Sequence, residues 1–242
     1  MQIRRIYLDQ AEEARGIVIV IDVVRSFTVA AYAFAGGAQR LWLVHTVEEA
    51  LALREREPGA LLAGEVGGRL ISGFDFNNSP ALMSVADVRG RLLIQRTGAG
   101  TQGAVRAINA THILVCSLVN AQATALYAYQ LAMETGEPVT LLPTASLNDL
   151  LATEDDFCAD YLESLLLGGD DAADILAKGI AHLQESERFA VWEQDEPDFP
   201  SADIAKILDA NRFGFAMVGT RKKWREITYV EVEGRVLRGD KV

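Results

Sequence analysis

Residues Val18 to Val24, in G-I-V-I-V-I-D-V-V-R, are β-branched and apolar throughout except for one carboxylate, Asp22. A strand with apolar side chains on both faces has no face to give to water. It must be covered by helices on both sides, which is the position of a central strand in a parallel or mixed sheet. A carboxylate inside such a run is costly unless something compensates it. Asp22 is therefore paired with Arg25, caps a neighbouring loop, or binds a metal ion.

The rest of the chain alternates in the same style. Ser26 is placed to cap a helix from Phe27 to Ala35, with Gly36-Gly37 as its stop. Leu41 to His45 reads as a second strand. T-V-E-E at Thr46 to Glu49 is a capping-box pattern for a helix that fades at Glu57-Pro58-Gly59. Ala60–Gly64, Arg91–Arg96, His112–Cys116 and Pro138–Leu142 read as further strands. Helices are expected after the T-G-A-G-T-Q-G turn to Asn109, from Asn120 to Gly136, from Thr153 (T-E-D-D) through Leu167, and onward from Asp171. Trp192 to Pro200 reads as an acidic, proline-marked connector, Ser201 as the cap of a short helix, and Ile227–Val232 as a terminal strand. Strand and helix at βα spacing predict an α/β fold, a layered α/β/α arrangement with a mostly parallel central sheet. Residues 1–242 read as one domain, because the segment beyond the connector near residue 195 is too short to fold alone.

A net charge of −11 and a pI near 4.8 argue against nucleic acid or an anionic membrane surface as partner. They leave room for a small anionic ligand in a locally positive pocket. No apolar run reaches the length of a membrane span, and the N-terminus lacks a signal core, so a cytoplasmic protein is expected. Cys116 and Cys158 sit in apolar contexts as buried thiols, with no zinc spacing. Homo-oligomerisation is left open.

In open α/β sheets ligands bind beyond the carboxyl ends of strands. That rule gathers Asp22 and Arg25, Glu65, Arg96 and Thr97, Ser117 and Asn120, and Glu154 and Asp155 onto one rim. The loop Gly64–Pro80, G-E-V-G-G-R-L-I-S-G-F-D-F-N-N-S-P, adds Asp75, Asn77, Asn78 and Ser79. Asp22 and Glu65, with Asp75 or Asp155, suit Mg²⁺, which takes one or two carboxylates plus water and substrate oxygens. The turn Thr97-Gly98-Ala99-Gly100-Thr101 either cradles a phosphate on its backbone amides or is a tight βα turn with no ligand. It is neither a dinucleotide fingerprint nor a P-loop. Arg25 and Arg96 either fork onto an anion or pair with carboxylates. In D-V-V-R-S-F-T, Val24 stands where aspartyl-phosphate phosphatases of the D-x-D-x-T type need a second acid, which argues against that mechanism.

Taken jointly, I-D-V-V-R-S-F-T-V-A-A (Ile21 to Ala31), the Gly64–Pro80 loop, T-G-A-G-T, C-S-L-V-N-A (Cys116 to Ala121) and T-E-D-D-F-C-A-D-Y (Thr153 to Tyr161) resemble the 2-phosphosulfolactate phosphatase family, known as ComB. The blocks match in order and spacing over residues 1 to 185, and G-F-D-x-x-N-S-P is the specific one. The resemblance implies a Mg²⁺-dependent phosphomonoester hydrolase acting on a small, highly acidic three-carbon substrate, in a family placed in coenzyme M biosynthesis. It carries Asp22, Arg25, Glu65, Gly73, Asp75, Asn78, Ser79, Gly100, Thr101, Asn120, Glu154 and Asp155 onto motif positions. Asp22, Arg25, Glu65 and Asp75 are then the expected catalytic set. The resemblance does not say which of them holds the metal; from the residues themselves Asp22, Glu65 and Asp155 are the expected metal ligands, and Arg96, Thr97, Gly98, Gly100, Thr101, Asn78, Ser79, Ser117 and Asn120 the expected substrate contacts. The chain departs from the family's T-T-N-G-T after the fourth strand, where it reads T-G-A-G-T. That departure motivates the alternative of a non-catalytic protein that binds an anionic metabolite.

Overall fold

The β-branched run forms β2 (Gly16–Ile21) in the computed structural model, which describes residues 1–144, 153–185 and 187–236. Every residue of β2 is buried. Its neighbours β7 (Ala110–Cys116) and β8 (Val139–Pro143) are both parallel to it, and β1 (Ile3–Arg5) runs parallel outside β8. A second parallel block holds β3 (Arg40–Leu43), β6 (Leu92–Arg96) and β4 (Leu61–Val66), edged by the short antiparallel β5 (Arg69–Leu70). Between the blocks lies a hairpin, β9 (Phe215–Trp224) and β10 (Ile227–Val236). The sheet order is β1-β8-β2-β7-β9-β10-β3-β6-β4-β5.

The pairings β7–β9, β9–β10 and β10–β3 are all antiparallel, so the two parallel blocks run in opposite senses. Flat, such a sheet would send their carboxyl ends to opposite edges. They meet instead: the Gly100 N–H, beyond β6, donates to Asp22 beyond β2 at 2.7 Å. The sheet therefore coils, as accumulated strand twist allows. It wraps α1 (Ser26–Ala35) and α4 (Gly100–Arg106), whose Phe27, Val29 and Ala104 share one core with Val18 and Val20 of β2 and Leu41 and Leu43 of β3. Successive strand residues face opposite sides. Ile17, Ile19 and Ile21 thus enter a second core beneath α5 (Ala121–Thr135) and α6 (Thr153–Leu167), which α7 (Ala172–Glu185) flanks. Trp42, Leu62 and Ile94 meet Ala50 and Leu53 of α2 (Val47–Arg56) in a third. With helices on both faces of a mostly parallel mixed sheet, the expected α/β layering holds.

Local chemistry explains which element boundaries match the sequence pattern and which do not. The Thr46 hydroxyl accepts from Glu49 N–H at 3.1 Å and the Glu49 carboxylate from Thr46 N–H at 3.0 Å, the reciprocal cap that opens α2. Gly136 closes α5 in the left-handed region at φ 73°. Ser26, however, does not cap α1: it is the first helical residue, and its N–H donates to Asp22. Ser201 makes no side-chain cap for α8 (Ala202–Ile207) either; its N–H donates to Asp195. The cap expected at Thr153 lies outside the described side chains. β9 has no clear sequence pattern because its outer half, T-R-K-K-W, is charged, largely solvated and paired only with β10, while Met217–Gly219 of the inner half pair with β7 as well.

Candidate active site

Asp22 sits at the floor of a pocket of about 290 Å³ lined by Val24, Arg25, Glu65, Gly67, Gly68, Asn78, Gly98, Ala99, Trp192 and Phe199. Its position follows from β2: the main chain still follows the sheet there, with Asp22 N–H donating to the Cys116 carbonyl. The side chain then turns to α1. One carboxylate oxygen accepts from Ser26 N–H at 3.0 Å and the other from Gly100 N–H at 2.7 Å. Asp22 thereby caps one helix and touches the first turn of another. A Cβ on Gly100 would lie 2.6 Å from the Asp22 carboxylate and 2.8 Å from the Ser26 hydroxyl oxygen, so only glycine permits this approach.

Glu65, near the end of β4, closes the opposite side. Its carboxylate accepts from Gly98 N–H at 2.5 Å and from Gly68 N–H at 2.7 Å. The amides of the glycine turn, expected to hold a phosphate, thus face two carboxylates of the protein itself. The turn is locked from within: Thr97 N–H donates to the Thr101 hydroxyl at 2.9 Å and Thr101 N–H to the Thr97 hydroxyl at 3.2 Å. Both threonines are buried and stand behind the pocket lining.

The remaining wall comes from the segment expected to be a connector. Residues 187–194 form a 3₁₀ helix, and Trp192 and Phe199 meet edge to face with ring centroids 5.3 Å apart. Both rings pack on the Arg25 guanidinium, which lies 5.4 and 4.9 Å from their centroids. One Arg25 terminal nitrogen donates to Asp203 at 2.9 Å and to the Asp198 carbonyl at 2.8 Å; the other donates to the Gly68 carbonyl at 3.1 Å. Asn77 binds the strap too, donating to the Asp198 carboxylate at 2.6 Å. The Phe199 ring passes so close to Gly68 (φ 78°) that a Cβ there would meet it at 2.4 Å.

Several expected site residues are placed elsewhere. Asp75 is exposed and ion-paired to Arg54 at 2.7 Å, and it accepts from Leu62 N–H; it staples the loop to α2 and does not line the pocket. Ser79 caps the short helix α3 (Pro80–Met83) and donates to Asp203 at 2.6 Å. Ser117 and Asn120 bond to each other at the start of α5, away from the pocket lining, where Asn120 also donates to Thr124. Arg96 donates to the Glu65 carbonyl at 2.9 Å, holding the loop from outside. Asp155 stands behind Asp22, its oxygens accepting from Val23 N–H at 2.8 Å and the Thr144 hydroxyl at 3.1 Å. Asp22, Arg25, Glu65, Gly98 and Asn78 do converge. Asn78 is 5 % exposed, and its side-chain oxygen has no hydrogen-bond partner among the described residues.

Charge in the pocket is unbalanced. Burial pushes the Asp22 carboxyl up from 3.8 to about 6, against the two N–H donors, and Glu65 and Glu154 push it further in the same direction. Burial, then the charges of Asp22 and Glu154, raise Asp155 well above the carboxylate range. The one lining guanidinium among the described residues, Arg25, is already matched by Asp203. Asp22, Glu65 and Asp155 do not close into a cage: among the described residues no three acidic, histidine or cysteine side chains stand close enough to enclose an ion. The hard oxygens of Asp22 and Glu65 and the unpartnered oxygen of Asn78 are nonetheless the donor chemistry that suits Mg²⁺ with water and substrate completing its shell. A hollow of similar volume lies by His112, Tyr127 and Arg221, but Arg221 there is committed to the Val105 and Ala107 carbonyls at the end of α4.

Trp192, Phe199, Asp198 and Asp203 belong to the site without having been expected there. Two aromatic side chains inside an acidic stretch were the available signal, since solvated connectors rarely carry them.

Comparison with known proteins meets this geometry. A family model described as 2-phosphosulpholactate phosphatase matches residues 5–195. A protein of Bacillus subtilis (strain 168) named a probable 2-phosphosulfolactate phosphatase is 37% identical over 188 residues, 77% of this chain and 79% of that one. A protein of the same name from Carboxydothermus hydrogenoformans is 36% identical over 149 residues, 62% of this chain and 60% of that one. Another, from Deinococcus radiodurans, is 45% identical over 119 residues, about half of each chain. Fold, strand-end carboxylates and these matches define the class, a phosphoric monoester hydrolase. Within it, the chain belongs to the 2-phosphosulfolactate phosphatase family, as its Gly64–Pro80 motif led one to expect.

Proposed function

We propose that the chain hydrolyses the phosphate ester of 2-phosphosulfolactate or a related phosphorylated hydroxy acid, with Mg²⁺ bound at Asp22 and Glu65. One observation carries this reading: among the described residues the pocket presents two carboxylates and a single arginine, whose charge Asp203 already matches. A multiply anionic substrate would be repelled from such a lining unless a cation entered with it. Bound there, the ion would offset phosphoryl charge and lower the pKa of a coordinated water.

The protein's own part is positioning and exclusion. Arg25 presents a guanidinium to the pocket with its orientation fixed from three sides, suited to a phosphoryl or second anionic group of the substrate. Asn78 offers a carbonyl oxygen and a buried amide. Trp192 and Phe199 exclude water from the Arg25 side, strengthening each electrostatic contact made there. The test is phosphate release from a panel of phosphorylated hydroxy acids with Mg²⁺ and with EDTA. Release that EDTA abolishes and added Mg²⁺ restores is expected; no EDTA-sensitive release from any of them would refute the reading.

A further inference from the structure

Asp203 lies beyond residue 195, where the family match ends, and it is fully buried. Four donors converge on it. The Ser79 hydroxyl at 2.6 Å and Ala81 N–H at 3.0 Å reach one oxygen. An Arg25 terminal nitrogen at 2.9 Å and the Trp192 indole N–H at 3.3 Å reach the other. The carboxylate thus ties together the motif loop at Ser79, the arginine after β2 and the aromatic wall. The strap before it reinforces the same arginine: the Asp198 carbonyl accepts from Arg25, while the Asp198 carboxylate accepts from Leu70 N–H at 3.0 Å and from Asn77.

We propose that Asp203 is a positioning residue for phosphate recognition: it holds the Arg25 guanidinium against Trp192 and Phe199, so that the arginine meets an incoming phosphoryl group already oriented. The inference rests on the phosphatase reading above and deepens it. An arginine on a flexible stem loses much of its rotamer freedom when it binds an anion, and fixing it beforehand removes that cost. A carboxylate matched so closely also leaves little net charge, so Asp203 contributes orientation rather than attraction. Strap residues 196–203 then belong to the substrate site, although the motifs that mark the family lie earlier in the chain.

The experiment compares wild type, Asp203→Asn, Arg25→Lys and the double variant, each checked for folding by circular dichroism. Two readouts are taken: turnover of 2-phosphosulfolactate with Mg²⁺, and binding of inorganic phosphate by calorimetry. Asparagine has one side-chain oxygen, so with that oxygen kept for Ser79 and Ala81 it turns an uncharged amide, itself a donor, toward Arg25 and Trp192. Asp203→Asn is expected to raise KM and weaken phosphate binding about tenfold, with a smaller fall in kcat, since misplacing a contact by about an ångström is enough for such losses. The double variant should bind phosphate little worse than Arg25→Lys alone, because the two side chains act as a unit. A merely structural Asp203 would lower the melting temperature while leaving the KM and phosphate affinity of the folded fraction unchanged; that result overturns the inference. Wild type that binds phosphate in an Arg25-dependent way but releases none from any ester would sink the phosphatase reading, and the binding arm would still decide the role of Asp203. Wild type that neither binds phosphate nor hydrolyses an ester would remove both.

Discussion

Asp22 and Asp203 are both buried aspartates within one site, and their surroundings are opposites. Asp203 meets a guanidinium, an indole, a hydroxyl and a backbone amide, so its charge is matched and its oxygens are filled. Asp22 meets two backbone amides and then other carboxylates, and burial first, with those like charges adding to it, raises its carboxyl to about 6. A matched buried charge is part of how a fold holds its shape; an unmatched one is kept for something that arrives later. The two residues should therefore fail differently when changed. The largest expected effect is on turnover: Asp22→Asn should reduce kcat on the order of 10³-fold, the scale lost when a group stabilising transition-state charge is removed. Its stability should move by only about 1 kcal/mol, because one backbone hydrogen bond is lost while repulsion from Glu65 and Glu154 is relieved. Steady-state kinetics alongside thermal melts of the metal-free protein check both halves.

Asp203→Asn should show the reverse balance. Leaving Arg25 buried without its counter-charge costs about 3 kcal/mol, the lower part of the range for breaking a buried pair. For a chain of this size that corresponds to a fall in melting temperature of roughly 6–12 °C. If Asp22→Asn proved the more destabilising of the two, the division into matched and unmatched charge would be wrong.

How much of this was legible in the sequence depends on how far apart the interacting residues lie. The β2 run and the Thr46–Glu49 cap declare themselves within a few residues, and the fold class followed from such local patterns. Asp22 was marked by its neighbours: a carboxylate among valines and isoleucines needs a reason. Asp203 was not. It sits in S-A-D-I-A-K, where an acid in the first turn of a helix is ordinary, and its partner Arg25 is 178 residues away. Long-range pairing likewise hid β9, whose charged outer half disguises a strand at the centre of the sheet, whereas its partner β10 was read in part from Ile227–Val232. The strand-end rule located the rim but assumed strands pointing one way. The coiling that brings two opposed blocks together has no short-range signature.

A third difference between the aspartates appears on titration. The Asp22 carboxyl titrates near 3.8 when unfolded and near 6 when folded, so between those values the folded state binds more protons. Stability of the metal-free protein should therefore be greatest below pH 4, as far as this group is concerned, and fall as pH rises toward 6; Asp155 shifts in the same direction. Mg²⁺ should reverse the loss above pH 6, since a cation favours the ionised form. Thermal melts across pH 4 to 7.5, with EDTA and with Mg²⁺, check it. A metal-free melting temperature that rises through this window, or one that Mg²⁺ leaves unmoved at pH 7, would contradict the account of Asp22 as an unmatched charge.

The smallest expected effect belongs to Asp75, and it sharpens the comparison because the family motif places this residue beside Asn78 and Ser79. Its carboxylate leaves that neighbourhood, pairs with Arg54 on α2 at 2.7 Å and accepts from Leu62 N–H at 2.8 Å. Both members of the pair are about a third exposed, so water and salt screen their attraction and the pair is worth about 0.2–1 kcal/mol. Asparagine keeps an acceptor for Leu62, leaving only the ion pair to lose. Asp75→Asn should therefore lower the melting temperature by no more than about 4 °C, less in high salt, with kcat and KM within about twofold of wild type. The reason is geometric: Glu65 and Asp75 lie on one loop ten residues apart, but the turn at Gly67-Gly68 and the strap over it send their side chains to different neighbours. Loss of turnover in Asp75→Asn at unchanged stability would mean that the loop closes inward on substrate, and the division between residues that hold the site and residues that form it would have to move.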